Sequence, residues 1–259
     1  MKAPERFQTG RLSALKIAQD DLPFVVKLMS DPAMHGHRPD PTPPTPEAIA
    51  ETLAQDLRHW DTHGVGRWCV LADGAPLGLA GLTHRGGYPG LNISYHIAPG
   101  AWGHGYASEI AEGLVQLAED HRLAAYLHGL VRPVNPASGR VLRKAGFRRV
   151  ATLPHGGANT DVLTRALGGA DEILFYGGAW KPLVTRRADG RLIYEVPVAS
   201  GHADYRVEIP IAPRDLQALL THPGRADQAY AQLHPKAQAN RADIGALRDL
   251  LRHMIHGKR

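Results

Sequence analysis

The sequence predicts an α/β protein of the α+β type, with one mixed, mostly antiparallel sheet flanked by helices and a second, smaller α+β module. Three observations predict this fold. Short apolar or alternating segments, typical of strands, are interleaved with segments of helical periodicity. Asp73-Gly74 separates two of the strands as a hairpin turn signal. The length of 259 residues suits two domains rather than one.

Each element of the first part has its own local signal. Residues 12–17 alternate as a strand, and Asp20 can cap a helix that contains Phe24, Val25, Leu28 and Met29. Six prolines between residues 31 and 46 predict an ordered or semi-rigid loop, and Thr45-Pro46 is typical of a helix start. The remaining predicted elements are strands at 67–72, 76–84, 91–98 and 125–132, helices at 105–122 and 137–145, and a strand that begins at Phe147.

Composition excludes several classes of protein. No run of residues has the apolar length of a membrane span, and the first residues lack the apolar core of a signal peptide, so we expect a soluble, cytoplasmic protein. The single cysteine, Cys69, lies in an apolar run and is expected to be a buried core residue. The net charge of +5 arises entirely from residues 179–259, but these basic residues alternate with acidic ones. Nucleic-acid binding is therefore not expected.

A glycine-containing turn between a strand and a helix is the first chemical signal. Gly103 and Gly105 follow the strand that ends near Pro99, and the helix after them carries an apolar stripe. Glycines let the backbone turn tightly, and the first amides of a helix have no partner within the helix. This arrangement predicts a pyrophosphate site. Neither the phosphate-binding loop of nucleotide hydrolases nor the dinucleotide fingerprint matches it, because the lysine and the third glycine are missing.

A second motif follows about 30 residues later and makes the interpretation specific. Asn135, Ser138, Leu142 and Gly146-Phe147 lie at the spacing Asn-x-x-Ser-x-x-x-Leu-x-x-x-Gly-Phe. Together with the run Trp-Gly-His-Gly-Tyr-Ala-Ser-Glu at 102–109 and the run Thr-Gly-Arg-Leu at 9–12, this motif resembles the GNAT superfamily of N-acetyltransferases. The resemblance covers residues 6 to 178 and is strongest to the ribosomal-protein-alanine-acetyltransferase-like branch.

The resemblance implies a binding mode for acetyl-CoA, which is the expected co-substrate; no metal is expected. The backbone of residues 104–108 would hold the pyrophosphate, and strands 91–98 and 125–132 would separate to admit the pantetheine arm. A backbone N–H near Ile97 would polarise the thioester carbonyl. The residues implied in cofactor binding are Ile97, Trp102, Gly103, His104, Gly105, Tyr106, Ala107, Ser108, Asn135 and Ser138.

The resemblance also implies catalysis by direct attack of an amine on the thioester. Ser138 is expected to support the departing thiolate, because the tyrosine that many relatives have in the second motif is replaced by Leu142. Asn92 and Leu130 stand where a carboxylate base might be expected, so His96 and His84 are the candidates for the base, with Tyr95 behind them. Glu109 is interpreted as a carboxylate in the first turn of its helix.

The proline-rich loop falls where the family builds one wall of the acceptor site. Met34, His35, His37 and Arg38 could line that wall, and an arginine there would suit an acceptor with a carboxylate or a phosphate. A simple surface loop is the equally weighted alternative. The acceptor itself is expected to be a primary amine on a protein N-terminus, a lysine or a small molecule.

The C-terminal part is interpreted as a separate module. The family order implies two strands after Phe147, predicted at 148–153 and 172–176, and Gly177-Gly178 then acts as a linker. The predicted domains are residues 1–178 and 179–259. The second has a hairpin at 183–187 and 192–198, a strand at 205–211, and helices that begin at Pro213 and near 226 and 244. We recognise no family motif in it.

Two hypotheses of different class follow. The first is an enzyme, an acetyl-CoA-dependent N-acetyltransferase. The second is a non-catalytic CoA-binding or regulatory fold whose C-terminal module binds a protein partner, which the missing strand carboxylate favours. In either case the C-terminal module could mediate dimerisation or contact another protein. Turnover with any amine distinguishes the two hypotheses.

Overall fold

The computed structural model describes residues 2–199, 204–239 and 243–256. These residues form two compact units, one of residues 1–85 and 89–168, and one of residues 86–88 and 169–259. The predicted division at residue 178 lies ten residues beyond this boundary. Each unit has its own sheet and its own hydrophobic core.

The first unit contains an eight-stranded sheet with four helices. The strands are β1 (Arg6–Gln8), β2 (Leu12–Lys16), β3 (Arg67–Ala72), β4 (Ala75–His84), β5 (Leu91–Ile97), β6 (Tyr126–Val131), β7 (Arg148–His155) and β8 (Ala158–Ala166). The helices are α1 (Leu22–Met29), α2 (Pro46–His63), α3 (Tyr106–Asp120) and α4 (Pro136–Lys144). The strand order is β1-β2-β3-β4-β5-β6-β8-β7. All neighbouring pairs are antiparallel except β5 and β6, which confirms the predicted fold class.

The start of α2 shows how local chemistry sets the elements. Thr45 is the N-cap, and its Oγ1 accepts a hydrogen bond from the backbone N–H of Ala48, while Pro46 occupies the first helical position. Gly64 ends the helix in the left-handed conformation, with φ 66°. The helix buries Ile49, Leu53 and Trp60 in the core of the first unit, because these residues repeat at helical spacing.

One predicted strand belongs to the other sheet. The segment Glu172–Tyr176 is a strand, but it pairs within the second unit and not with the first sheet. Its expected place is taken by β8, which forms a hairpin with β7 through Gly156 and Gly157. Both glycines have positive φ, as a two-residue hairpin turn of this type requires. The sequence interpretation treated these glycines as an irregular connection and therefore missed β8.

The second unit is a small α+β unit, as predicted. Its strands are β9 (Glu172–Tyr176), β10 (Leu183–Arg186), β11 (Leu192–Ala199) and β12 (Asp204–Ile211), in the order β12-β11-β10-β9. Its helices are α5 (Pro213–Thr221), α6 (Gly224–Gln238) and α7 (Ile244–His256). Asp215 in α5 is fully buried, accepts from the backbone N–H of Ala212, and lies 2.8 Å from His256 Nε2 and 3.3 Å from Arg252 Nε of α7. These contacts connect the first and last helices of the unit.

Candidate functional site: a cleft between two diverging strands

The loop before α3 has unpaired backbone donors. Gly103 and Gly105 both have φ of 82°, a conformation that only glycine adopts without strain. A Cβ at Gly103 would meet no atom within 4 Å, so the reason for glycine there is the backbone angle and not space. Gly105 is the N-cap of α3 and supplies no side-chain acceptor. The backbone N–H groups of Tyr106 and Ala107 therefore remain available to an anion, whereas the Ser108 N–H donates to the Gly105 carbonyl at 3.1 Å.

Arg11, which lies between β1 and β2, binds the loop before α3 through its side chain. Its Nε donates to Glu109 Oε2 at 2.7 Å, its Nη2 donates to the His104 carbonyl at 3.2 Å, and its guanidinium lies 4.5 Å from the centroid of the Tyr106 ring. Glu109 Oε1 also accepts from Thr9 Oγ1 and from the backbone N–H of Arg11. Burial alone would raise the pKa of Glu109, but these hydrogen bonds and the charge of Arg11 lower it. Glu109 is thus an ionised structural group, as the sequence interpretation expected.

Arg11 contacts the loop before α3, a contact that the sequence analysis did not predict. The run Thr-Gly-Arg-Leu at 9–12 was used only as a mark of the opening strand. The sequence shows Thr9 and Arg11 just before the predicted strand at 12–17. It does not show which residue they contact. Glu109, 98 residues further along, becomes that partner only in the folded chain.

Strands β5 and β6 diverge after their first residues. Within the described residues, their parallel pairing consists of Leu91 with Leu127 and Asn92 with His128. The C-terminal half of β5, which ends at Ile97, faces an opening on that side. The Ile97 carbonyl accepts from Trp102 Nε1 at 2.7 Å, which positions the half-exposed Trp102 ring at the mouth of the opening.

Ser138 and Tyr95 form a hydroxyl pair on one side of this opening. Tyr95 Oη lies 2.9 Å from Ser138 Oγ and donates to the Ser138 carbonyl at 3.1 Å. Burial raises the pKa of Tyr95 to about 12, although the hydrogen bond with Ser138 acts in the opposite direction. Asn135 caps α4, because its Oδ1 accepts from the Ser138 N–H at 3.2 Å. The sequence analysis placed Tyr95 behind the candidate histidines. In the structure its hydroxyl group lies beside that of Ser138 instead.

Leu142 of the second motif is a core residue. It is 2% exposed and packs against β6 at Gly129, where a Cβ would lie 2.3 Å from Leu142 Cδ1. The absence of a side chain at Gly129 therefore makes room for Leu142.

The two candidate histidines lie in different places. His96 lines the cleft, and its buried Nδ1 has no hydrogen-bond partner among the described residues. Burial, and then the charges of Arg67 and Arg38, lower the pKa of His96 to about 3. The His96 imidazole is therefore uncharged around pH 7. This geometry keeps His96 among the groups that can touch an acceptor.

His84 is not part of the cleft, which corrects its selection as a candidate base. It ends β4, and its ring lies 4.7 Å from that of His63 and 6.0 Å from that of His59. Its backbone N–H donates to His59 Nε2 at 3.0 Å. The His84 ring packs against His59 and His63, whereas the next residue, Arg85, lines the cleft, a difference that spacing in the sequence does not reveal.

The proline-rich loop does form a wall of the cleft. Met34, His37 and Arg38 line it, whereas His35 is fully buried and its Nε2 lies 2.7 Å from the Met29 carbonyl oxygen. The expectation for His35 is therefore wrong, because its ring closes the turn after α1. The opposite wall is the β7–β8 hairpin, where Arg132 donates to the Gly156 and Ala158 carbonyls and to Thr160 Oγ1.

The cleft connects all of these groups. Its volume is about 590 Å³, within the range of ligand sites in proteins. Its lining includes the cofactor and catalytic candidates Tyr95, His96, Ile97, Trp102, Gly103, Gly105, Tyr106, Ala107, Ser108, Asn135 and Ser138. The predicted binding residues are thus brought together by the fold, with His104 adjacent through its backbone.

The single cysteine takes no part in the site. Cys69 is 2% exposed in β3, and burial, followed by the charge of Asp21, raises the pKa of its thiol to about 12. The prediction of a buried core thiol is confirmed. Among the described residues no group of three or more His, Cys, Asp or Glu side chains has the geometry of a metal site, and no described helix is long and apolar enough to cross a membrane.

The family follows from a match to the acetyltransferase (GNAT) domain model over residues 11–148, which is more than half of the chain. This protein is a member of the GNAT acetyltransferase family. The match contains both the loop before α3 and the Asn135–Ser138 segment. The expected family is confirmed, and with it the class of enzyme, an acetyl-CoA-dependent acyltransferase.

Solved structures of GNAT enzymes share the fold. An acetyltransferase from Agrobacterium tumefaciens is 23% identical, covers 64% of this chain over 95% of its own length, and has a TM-score of 0.55. The ribosomal L7/L12 α-N-protein acetyltransferase RimL, solved with coenzyme A, is 14% identical over 63% of this chain and 98% of its own, with a TM-score of 0.55. AAC(6′)-Ib, solved with paromomycin and acetyl-CoA, is 17% identical over 60% of this chain and 92% of its own, with a TM-score of 0.51.

Proposed function

We propose that this GNAT protein transfers the acetyl group of acetyl-CoA to a primary amine by direct attack. The observation that carries the proposal is one continuous cleft. It joins the unpaired amides at the start of α3, the opening between β5 and β6, and the Tyr95–Ser138 pair. A cofactor with an anionic end, an extended arm and a thioester needs these three features in that order.

The chain's own groups suit each part of acetyl-CoA. The backbone of residues 104–108 would bind the pyrophosphate, with Arg11 holding the His104 carbonyl in place. The pantetheine arm would lie along the free side of β5, as an added strand does. Asn135 uses its carbonyl oxygen for the α4 cap, so its amide NH₂ is the group that would donate to the arm.

The chemical step is a balanced acyl transfer. The neutral amine nitrogen attacks the thioester carbon, a C–N bond forms and the C–S bond breaks. The nitrogen loses one proton to solvent, and the departing thiolate gains one proton from Ser138 Oγ. Tyr95 Oη then returns that proton to Ser138, since the two oxygens lie 2.9 Å apart, and Tyr95 regains a proton from solvent, which balances the proton that the amine released. A donor whose pKa is near 12 remains protonated across the working pH range.

Proximity supplies much of the rate in this mechanism, because the cleft holds both reactants next to each other. Among the described residues that line the cleft, no carboxylate is available as a base. His96 has a strongly lowered pKa, so its contribution is to orient or desolvate the amine rather than to carry its proton at neutral pH.

The proposal extends to the class of amine that accepts the acetyl group. A protein N-terminus, a lysine and a small amine are the candidate classes, and the structurally similar enzymes include a ribosomal L7/L12 α-N-protein acetyltransferase and an enzyme solved with paromomycin. The reaction is proposed to occur in the cytoplasm. A protein partner or a second copy of the chain at the C-terminal unit stays a prediction.

Thermal unfolding and CoA release test the proposal together. At 100 times its dissociation constant, acetyl-CoA should stabilise the folded state by about 2.7 kcal/mol. Thiol release from acetyl-CoA should then depend on an added amine. Stabilisation without release with any amine would favour the non-catalytic CoA-binding alternative. No stabilisation at all would contradict the cofactor site itself.

A further inference from the structure

Among the described residues, the permanently charged side chains that line the cleft are all arginines. The lining contains four arginines, Arg38, Arg67, Arg85 and Arg132, and three histidines, His37, His96 and His155. Over the described part of the chain, neither Asp nor Glu occurs in that lining. A cleft built for a simple ammonium or a polycation would be expected to carry carboxylates, since opposite charges attract.

Strand alternation separates these charges from the cofactor side. Successive side chains of β5 point to opposite faces of the sheet. Tyr95 points towards α4, where it meets Ser138. The neighbouring His96 therefore points to the other face, and Arg38 and His37 are among the charges that act on it. The arginines near His96 thus lie across the sheet from the Ser138 pair.

The positive field on that face is mostly uncompensated. Arg67 has a partner, with its Nε 3.1 Å from Asp56 Oδ1. Arg132 binds only neutral oxygen atoms among its described contacts, and Arg85 Nη1 lies 3.0 Å from the neutral acceptor His155 Nε2. The pKa of His37 is lowered by burial and then by Arg38, and that of His155 by burial and then by Arg85.

The site geometry suits a small anionic group. The loop with Arg38 lies close to the β7–β8 hairpin that Arg132 bonds, since a Cβ at Gly157 of the hairpin would lie 4.0 Å from Pro39 Cγ. Arg38 and Arg85 are both exposed, so their guanidinium groups can move to meet a ligand. Arginine binds carboxylate and phosphate with two parallel hydrogen bonds, which fixes orientation as well as charge.

We propose that the acceptor is an amine that carries a carboxylate or a phosphate close to its amino group, bound through Arg38 and Arg85. The inference rests on the proposed acetyl transfer and names the substrate class of the same site. The anion offsets the repulsion that an ammonium alone would meet, and the surrounding cations favour the neutral, nucleophilic form of the amine. Polyamines and aminoglycosides, which carry several positive charges, are disfavoured as acceptors.

Matched pairs of amines test the proposal. The pairs are β-alanine and propylamine, O-phosphoethanolamine and ethanolamine, and peptides that begin with Asp or with Asn, with spermidine as the cationic probe. We expect kcat/KM to be at least about 10-fold higher for the anionic member of at least one pair. The pair that shows this difference in kcat/KM identifies the anionic group of the acceptor as a small carboxylate, a phosphate or an acidic peptide side chain. Equal or better use of the neutral members and of spermidine would overturn the proposal.

Variants show whether the preference comes from the named residues. Arg38→Gln and Arg85→Gln should each reduce the preference for the anionic member about 10-fold, and Arg38→Glu should shift it towards spermidine. Arg58→Gln is the matched control, because Arg58 is exposed on α2 and pairs with Glu51 away from the cleft. A preference unchanged in all three cleft variants would contradict the assignment.

A binding measurement separates this inference from the proposed function. Protein saturated with CoA is titrated with N-acetyl-β-alanine and with O-phosphoethanolamine by calorimetry. Binding that Arg38→Glu weakens supports the anion site even if no amine is acetylated. No binding of either compound overturns the anion site even if acetyl-CoA binds and a neutral amine is acetylated.

Discussion

At the scale of single residues, the site depends on pairs that lie far apart in the sequence. Tyr95 and Ser138 are 43 residues apart, and their hydroxyl oxygens are 2.9 Å apart. The motif at 135–147 predicted Ser138 as a functional group. It could not predict the tyrosine, because β5 and α4 meet only through packing. The acid that many relatives carry in the motif is therefore proposed to come from β5 in this chain.

Tyr95→Phe should lower kcat by about 10- to 100-fold, because it removes the proton source behind Ser138. The KM for acetyl-CoA should change little, since the aromatic ring stays in place. Steady-state assays of Tyr95→Phe, Ser138→Ala and the double variant check this expectation. If the pair acts as a unit, the double variant loses little more than the worse single variant. Fully additive losses would contradict the relay.

The pH dependence distinguishes His96 from a base that titrates near neutrality. Its pKa is lowered from 6.5 to about 3, so His96 is neutral above about pH 4 and cannot produce an acid limb between pH 5 and 8. Any limb there should belong to the amine and should move with the amine used. His96→Asn should keep the limb at the same pH. A limb that disappears in His96→Asn would identify His96 as the base after all.

At the scale of elements, the loop before α3 combines a backbone requirement with support from another strand. Gly103 and Gly105 adopt the positive φ angles that the loop requires. Arg11, which lies between β1 and β2, donates a hydrogen bond to the His104 carbonyl. The glycines are visible in the sequence because conformational preference is local. The contribution of Arg11 is not visible, because it depends on how β2 lies beside α3.

Gly105→Ala should weaken acetyl-CoA binding about 10-fold. A residue with a Cβ in the left-handed region costs about 1–2 kcal/mol, which the loop would relieve by turning its amides away. Arg11→Ala should have a similar or smaller effect on binding. Calorimetric titration with acetyl-CoA measures both. Gly100→Ala is the control, because Gly100 has no positive φ and a Cβ there would meet no atom within 4 Å. Equal affinities in all four proteins would contradict the loop as the anion site.

At the scale of the whole molecule, the chain consists of two units with separate cores. All the residues of the candidate site belong to the first unit. The second unit contains the buried Asp215 network, which does not reach the cleft lining. Its stability and the binding of acetyl-CoA should therefore be separable properties.

Asp215→Asn should destabilise the second unit by about 2 kcal/mol, because it weakens charge-assisted contacts to Arg252 and His256. Burial opposes ionisation of Asp215, but its hydrogen bonds lower its pKa below 3.8. Its contribution is thus present above that pH and is lost as the pH falls further. Thermal unfolding should shift while the Kd for acetyl-CoA stays the same. Asp249→Asn, in an exposed pair with Arg248, should change neither. A weaker Kd in Asp215→Asn would contradict the separation.

The sequence by itself determined the local features of this protein. Helix caps, glycine turns, strand alternation and the two motifs express preferences of neighbouring residues, so most elements of both units and the loop at 102–108 were predictable, whereas β8 was not predicted. The family followed because both motifs occur within one matching segment.

Only the tertiary structure decided the contacts between distant segments. It assigned Glu172–Tyr176 to the second sheet, placed His96 in the cleft and His84 outside it, and paired Tyr95 with Ser138. It also collected four arginines from separate loops and strands in the lining of one cleft. The physical reason is that packing and sheet pairing bring these residues together, and neither leaves a periodic signal along the chain.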